Sequence, residues 1–229
     1  LHLVSASVLI APSEINKGNM SEAKLPVTVY SEVTPNPAVM KFVADKMLVP
    51  TGEMAEYMSV EETKDSSTLA EALFQFPFVS SIFITRNFIA ITKNNTIAWD
   101  MIHSEVRLYI TEFLQNNEVV VQKIPEAITR EIEVENQEEK ITIDITPEIN
   151  SELDKMIVTI LDEYVTPAVE SDGGAIHFKK FDEDSGQVTV VLKGACSGCP
   201  SSTATLKGGI ETLLKSHFPE VTEVVALEG

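Results

Sequence analysis

The sequence predicts an α+β protein made of two small α+β domains joined by an acidic linker. Three observations carry that prediction. At 229 residues the chain exceeds the commonest single-domain length. Strand-like runs and helix-spaced apolar stripes are interspersed in both its first half and its last third. Between them, residues 118–148 place Glu126, Glu131, Glu133, Glu135, Glu138 and Glu139 among few apolar side chains.

The first domain is expected over 25–117. Leu25 to Tyr30 is a short β-prone run, and Thr34-Pro35-Asn36-Pro37 punctuates the chain after it as an extended turn. Val39 to Val43 reads as a strand. Leu69, Ala72, Leu73 and Phe76 recur at helical spacing, with Pro77 ending that helix. Val79 to Thr85 and Phe88 to Thr92 flank Arg86-Asn87 as a hairpin. Trp99, Ile102, His103, Val106, Ile110, Phe113 and Leu114 mark one face of a helix that Asn116-Asn117 suits as an end.

Residues 118–148 read as a solvated acidic linker, with Val119 to Val121 and Ile141 to Ile145 as its candidate short strands. The second domain is expected over 149–229. Leu153, Met156, Ile157, Ile160, Leu161 and Tyr164 form a helical stripe that Pro167 closes. Asp172-Gly173-Gly174 reads as a turn with positive backbone angles. Ala175 to Phe181 and Gln187 to Leu192 form a hairpin around Asp184-Ser185-Gly186. Leu206, Ile210, Leu213, Leu214 and His217 give a last helical face, and Val221 to Leu227 a final strand.

A hydrophobic content of 44% supports packed cores. The net charge of −18 is spread along the chain, so every region repels phosphate. That argues against nucleic acid and anionic membrane surfaces as partners. Residues 1–24 read as an N-terminal extension outside the fold. Their opening LHLVSASVLIA is apolar without a preceding basic region, unlike a secretory signal. Lys17 and Lys24 are their only basic groups, and the absence of Arg fits a mitochondrial transit peptide poorly. A cytoplasmic, bacterial-type protein is therefore expected, with the mitochondrial matrix as the alternative. Two cysteines are too few for a disulfide scaffold, which suits a reducing compartment.

Those cysteines, Cys196 and Cys199, are the chain's most informative residues. They lie three apart in Lys193-Gly194-Ala195-Cys196-Ser197-Gly198-Cys199-Pro200, between a strand and a helix. Pro200 suits a first helical turn. A helix N-terminus at that point favours thiolates, and Gly194 and Gly198 would let the backbone approach an inorganic core. The loop is thus expected to present two thiolates outward. Two thiolates fill half of a four-thiolate cluster or a tetrahedral zinc site. Several chemistries stay open: an iron–sulfur half-site, a dithiol redox motif, a zinc half-site completed by His177 or His217, and two structural cysteines. The redox motif is disfavoured because the pair follows a hairpin and is not expected in a βαβ unit.

Val165-Thr166-Pro167, Ser171-Asp172-Gly173-Gly174, the segment from Lys193 to Thr203 and Val221-Thr222-Glu223-Val224 together resemble the Nfu-type domain of NifU-like iron–sulfur scaffold proteins, over about 150–228. Thr34-Pro35-Asn36-Pro37-Ala38-Val39-Met40-Lys41-Phe42, the run from Phe83 to Lys93, and Trp99 resemble the N-terminal domain paired with it in that family, over about 25–115. The resemblance implies a non-enzymatic carrier of a 4Fe–4S cluster. Cys196 and Cys199 of two chains would share the cluster in a homodimer and hand it to apo iron–sulfur client proteins. Cluster assembly machinery would be a further partner. The extra cysteine-bearing modules of full NifU proteins are lacking, so no permanent ferredoxin-like cluster is implied.

Other residues have plainer readings. His103 suits a core boundary, His177 a packing role and Asp172 a turn. Gly208-Gly209 interrupts a helix, either at a chain–chain contact near the cluster or at close approach to a neighbouring strand. No conventional catalytic centre is expected.

Overall fold

The computed structural model describes residues 26–125, 130–133, 140–143, 147–197 and 200–228. The expected extension over 1–24 lies outside these, as do parts of the acidic segment. The fold is α+β, in two units.

The first unit is a five-stranded antiparallel sheet in the order β1-β2-β5-β4-β3. Its strands are β1 (Val29–Val33), β2 (Val39–Ala44), β3 (Met54–Tyr57), β4 (Val79–Thr85) and β5 (Phe88–Lys93). The helices are α1 (Thr68–Leu73) and α2 (Trp99–Asn116). Alternation along the strands assigns two faces. Phe42, Ile82, Ile84, Ile89 and Ile91 join Leu69, Leu73, Ile102, Ile110 and Leu114 of the helices in one core. Val39, Val43, Phe83, Phe88 and Ala90 point to the other face and are also buried. The chain after α2 stays with this unit: Val120 enters its core, and Ser67 Oγ donates to Val120 O at 2.7 Å.

A two-stranded antiparallel hairpin, β6 (Arg130–Glu133) with β7 (Lys140–Ile143), lies in the acidic segment. Val119 to Val121 form no strand.

The second unit begins with α3 (Glu152–Ile160), which Ser151 and Asp154 cap reciprocally. Pro167 does not stop this helix, contrary to expectation. A π-turn at Leu161–Val165 leads into α4 (Thr166–Ser171), in which Pro167 takes a first-turn position. There its missing N–H has no helical partner to lose. β8 (Gly174–Asp182) and β9 (Gln187–Gly194) are antiparallel, α5 spans Pro200–His217, and β10 (Glu223–Glu228) returns parallel to β9. The helices and sheet bury Ile157, Leu161, Val169, Phe178, Val190, Leu192, Ile210 and Leu214 between them.

The two units touch. Ala175 and Ala195 of the second complete the apolar patch on the outer face of the five-stranded sheet. Lys41 Nζ donates to Ser171 O at 3.2 Å, and Arg86 pairs with Glu170 at 3.0 Å. Among the described residues, no helix is long and apolar enough to cross a membrane.

Candidate functional site

The cysteine loop leaves the C-terminal end of β9 and enters α5. Because β10 lies parallel beside β9, the loop is the first turn of a βαβ unit. The expectation that the pair lies outside a βαβ unit is therefore corrected, while the hairpin before it stands. Both descriptions hold, since the hairpin's second strand is also the unit's first.

Cys196 is 7% exposed and belongs to the rim of the second core. It turns inward, not outward as the sequence suggested. The cause is local. Gly194 has φ +64, a conformation L side chains rarely adopt, and it turns the chain back over β8. The thiol then sits on Gly174, where a Cβ would fall 2.7 Å from Cys196 Sγ. A cavity of about 60 Å³, bounded by Ala168, Val169, Asp172, Cys196 and Leu206, lies beside it. Gly194 does not face open space for an inorganic core either. A Cβ there would lie 2.9 Å from Phe83 Cδ1 of the first unit. Cys199 and Gly198 lie outside the described residues. Pro200 does begin α5, placing the helix N-terminus beside the loop as expected.

Backbone groups of the loop are held from several sides. Ala195 N–H donates to Gly173 O at 3.1 Å, and Ser197 N–H to Gly194 O at 3.1 Å. Thr203 Oγ1 donates to Cys196 O at 3.1 Å. Two further bonds come from the first unit. Asn36 Nδ2 donates to Ala195 O at 3.3 Å, and Glu56 Oε1 accepts from Gly194 N–H at 3.1 Å. Sequence reasoning missed both Asn36 and Glu56 as site residues. A signal for their face was present: β2 and β5 are nearly unbroken apolar runs, the pattern of strands covered on both sides.

The histidines separate. His177, on β8, puts Nε2 2.8 Å from Met54 Sδ across the domain contact. Burial, with Lys193 adding, pushes its pKa down to about 4. It borders an interdomain cleft of about 440 Å³. His217 lies near the C-terminus of α5 with Nδ1 3.1 Å from Leu213 O. His103 meets Ser31 Oγ at 3.3 Å. Among the described residues, no three His, Cys, Asp or Glu side chains converge to hold a metal ion. Asp172 caps the C-terminus of α4. Gly208 and Gly209 face open space, which removes the neighbouring-strand explanation for them.

Both units have known relatives. A family profile described as "Scaffold protein Nfu/NifU N terminal" matches residues 29–117, and one described as "NifU-like domain" matches 157–225. A NifU-like protein of Schizosaccharomyces pombe is 34% identical over 200 residues, covering 87% of this chain and 72% of that protein. A mitochondrial NifU-like protein of Saccharomyces cerevisiae is 32% identical, covering 88% and 80%. The mitochondrial NifU-like protein 4 of Arabidopsis thaliana is 30% identical, covering 86% and 64%. Two of these relatives are named mitochondrial, which overturns the expectation of a cytoplasmic, bacterial-type protein.

Proposed function

This chain belongs to the Nfu/NifU family of scaffold proteins, and from that premise we propose that it carries iron–sulfur clusters to other proteins. Its cargo is a 4Fe–4S cluster held by Cys196 and Cys199 of two chains. Each chain then supplies half of a four-thiolate site, and two chains close it about a two-fold axis. The carrying observation is the position of Cys196. It lies at the turn from β9 into α5, within the segment matched by the NifU-like domain. The 18-residue helix α5 begins four residues further on, at Pro200.

The loaded site lies between chains, so cluster and dimer are lost together. A client offering three or four preorganised thiolates takes the cluster by stepwise ligand exchange. The protein acts by binding and delivery, not turnover. Its partners are apo iron–sulfur proteins and the machinery that builds the cluster. The names of the relatives favour a mitochondrial setting.

The test is anaerobic loading with ferrous iron and sulfide, followed by desalting. Wild type should keep the brown chromophore, while Cys196→Ser and Cys199→Ser should each lose it with the metal-free fold intact. Retention of iron by both variants would overturn the reading.

One observation favours a second reading. A CxxC pair at the first turn of a βαβ unit is also where dithiol oxidoreductases place theirs. That chemistry requires the metal-free protein to reduce insulin-type disulfides, which the carrier would not do.

A further inference from the structure

β9 outruns one of its neighbours. Among the described residues, β10 pairs with it as far as Leu192, two residues short of Gly194. On the opposite side Ala195 N–H still reaches Gly173 O. The Gly194 N–H instead meets a carboxylate of the other domain, Glu56 Oε1. Glu56 lies on β3 opposite Phe83 of β4, so both side chains share the outer face of the five-stranded sheet. It is 9% exposed, and a buried carboxylate needs such donors.

Asn36 makes the second contact. Pro35 and Pro37 restrict the backbone around it. Its Oδ1 accepts from Ala38 N–H at 3.0 Å, and Thr34 Oγ1 donates to Asn36 O at 2.9 Å. This turn aims Nδ2 at Ala195 O, the carbonyl immediately before Cys196. Phe83 covers Gly194 between the two contacts. One domain thus grips the other at the residues that set the position of the thiol.

We propose that Asn36 and Glu56 are positioning residues for the cysteine loop, and that the docked N-terminal domain holds Cys196 in its covered seat on Gly174. The consequence for cluster loading rests on the carrier reading given above: the seat has to be vacated before Cys196 reaches iron. The hold on the thiol itself does not depend on that reading. Undocking of this domain would then couple client or donor binding to exposure of the ligand.

Alkylation of the reduced, metal-free full chain by iodoacetamide tests the hold, with peptide mass spectrometry reporting the label at Cys196. Asn36→Asp keeps the oxygen that accepts from Ala38 but loses the donor to Ala195. Glu56→Leu removes the acceptor for Gly194. Each should raise the Cys196 rate roughly five- to tenfold, the factor carried by one net hydrogen bond. Glu56→Gln retains both the size and an acceptor and should react like wild type, so a rise in Glu56→Leu alone reports the lost hydrogen bond. Wild-type rates in both Asn36→Asp and Glu56→Leu would overturn the proposal, as would a Glu56→Gln rate equal to that of Glu56→Leu. If the variants fail to fold, hydrogen exchange in the wild-type chain decides: the Gly194 amide should be protected, and exchange at an open-loop rate overturns the hold. A wild-type chain that never takes up a cluster refutes the carrier reading alone, because alkylation and exchange are measured without metal.

Discussion

Replacing Gly174 by alanine probes the seat of Cys196 directly. The added Cβ would stand 2.7 Å from Cys196 Sγ, 2.8 Å from Lys193 O and 3.0 Å from Cys196 Cβ, where ordinary contact begins at 3.4 Å. The sulfur can retreat by turning about its side-chain bond. The carbonyl cannot, because Lys193 lies in β9 opposite Ala175 of β8. Overpacking of this kind costs about 1–3 kcal/mol. A domain of roughly 80 residues has about 4–12 kcal/mol to lose, so the metal-free fold should survive. The expected result is a urea midpoint lowered in proportion, together with faster alkylation of Cys196, as the thiol leaves its seat. A Gly174→Ala chain with wild-type midpoint and wild-type thiol reactivity would refute this packing.

Three further outcomes concern other sites. His177 binds no proton in the folded chain until about pH 4, whereas the unfolded chain binds one from about pH 6.5. Its neutral form therefore contributes full stability above 6.5, and that contribution is lost as pH falls towards 4. Acidification from pH 7.5 to 5 should cost about 2 kcal/mol, and His177→Gln should flatten that part of the pH profile measured by urea unfolding. Gly208→Ala with Gly209→Ala should stabilise the metal-free protein by about 1–2 kcal/mol, since both sites are helical and open. A loss of stability there would mean that the glycines meet something the single chain lacks. Arg86→Ala should change stability by less than about 1 kcal/mol, because the Arg86 end of its pair with Glu170 is exposed to solvent. A larger loss would make that pair a main hold of the domain contact.

Much of the fold was legible because its signals are local. The β4–β5 hairpin arises from two apolar runs around Arg86-Asn87, and α2 from a helix-spaced stripe beginning at Trp99. The turn from β9 into α5 announces itself through Gly194, the cysteine pair and Pro200. What sequence missed depended on distant partners. β3 is four residues, Met54–Tyr57, and its buried Glu56 makes sense only once Gly194 arrives from the other domain. Pro167 read as a stop because a proline inside a regular helix breaks it; the π-turn before it moves it to a first turn instead. Thr34-Pro35-Asn36-Pro37 was legible as a turn but not as a device that aims Asn36. The inward Cys196 was missed for the same reason. A Gly/Ser-rich loop carries little apolar cover of its own, and here the cover comes from Val169 and Leu206 on neighbouring helices.

Native mass spectrometry of the anaerobically loaded chain tests the shared-cluster carrier most directly. The expected species is a dimer holding one four-iron, four-sulfide cluster, about two irons per chain, which falls to metal-free monomers on chelation. A chain that stays monomeric and metal-free, with Cys196 and Cys199 joined only as a disulfide, would contradict it.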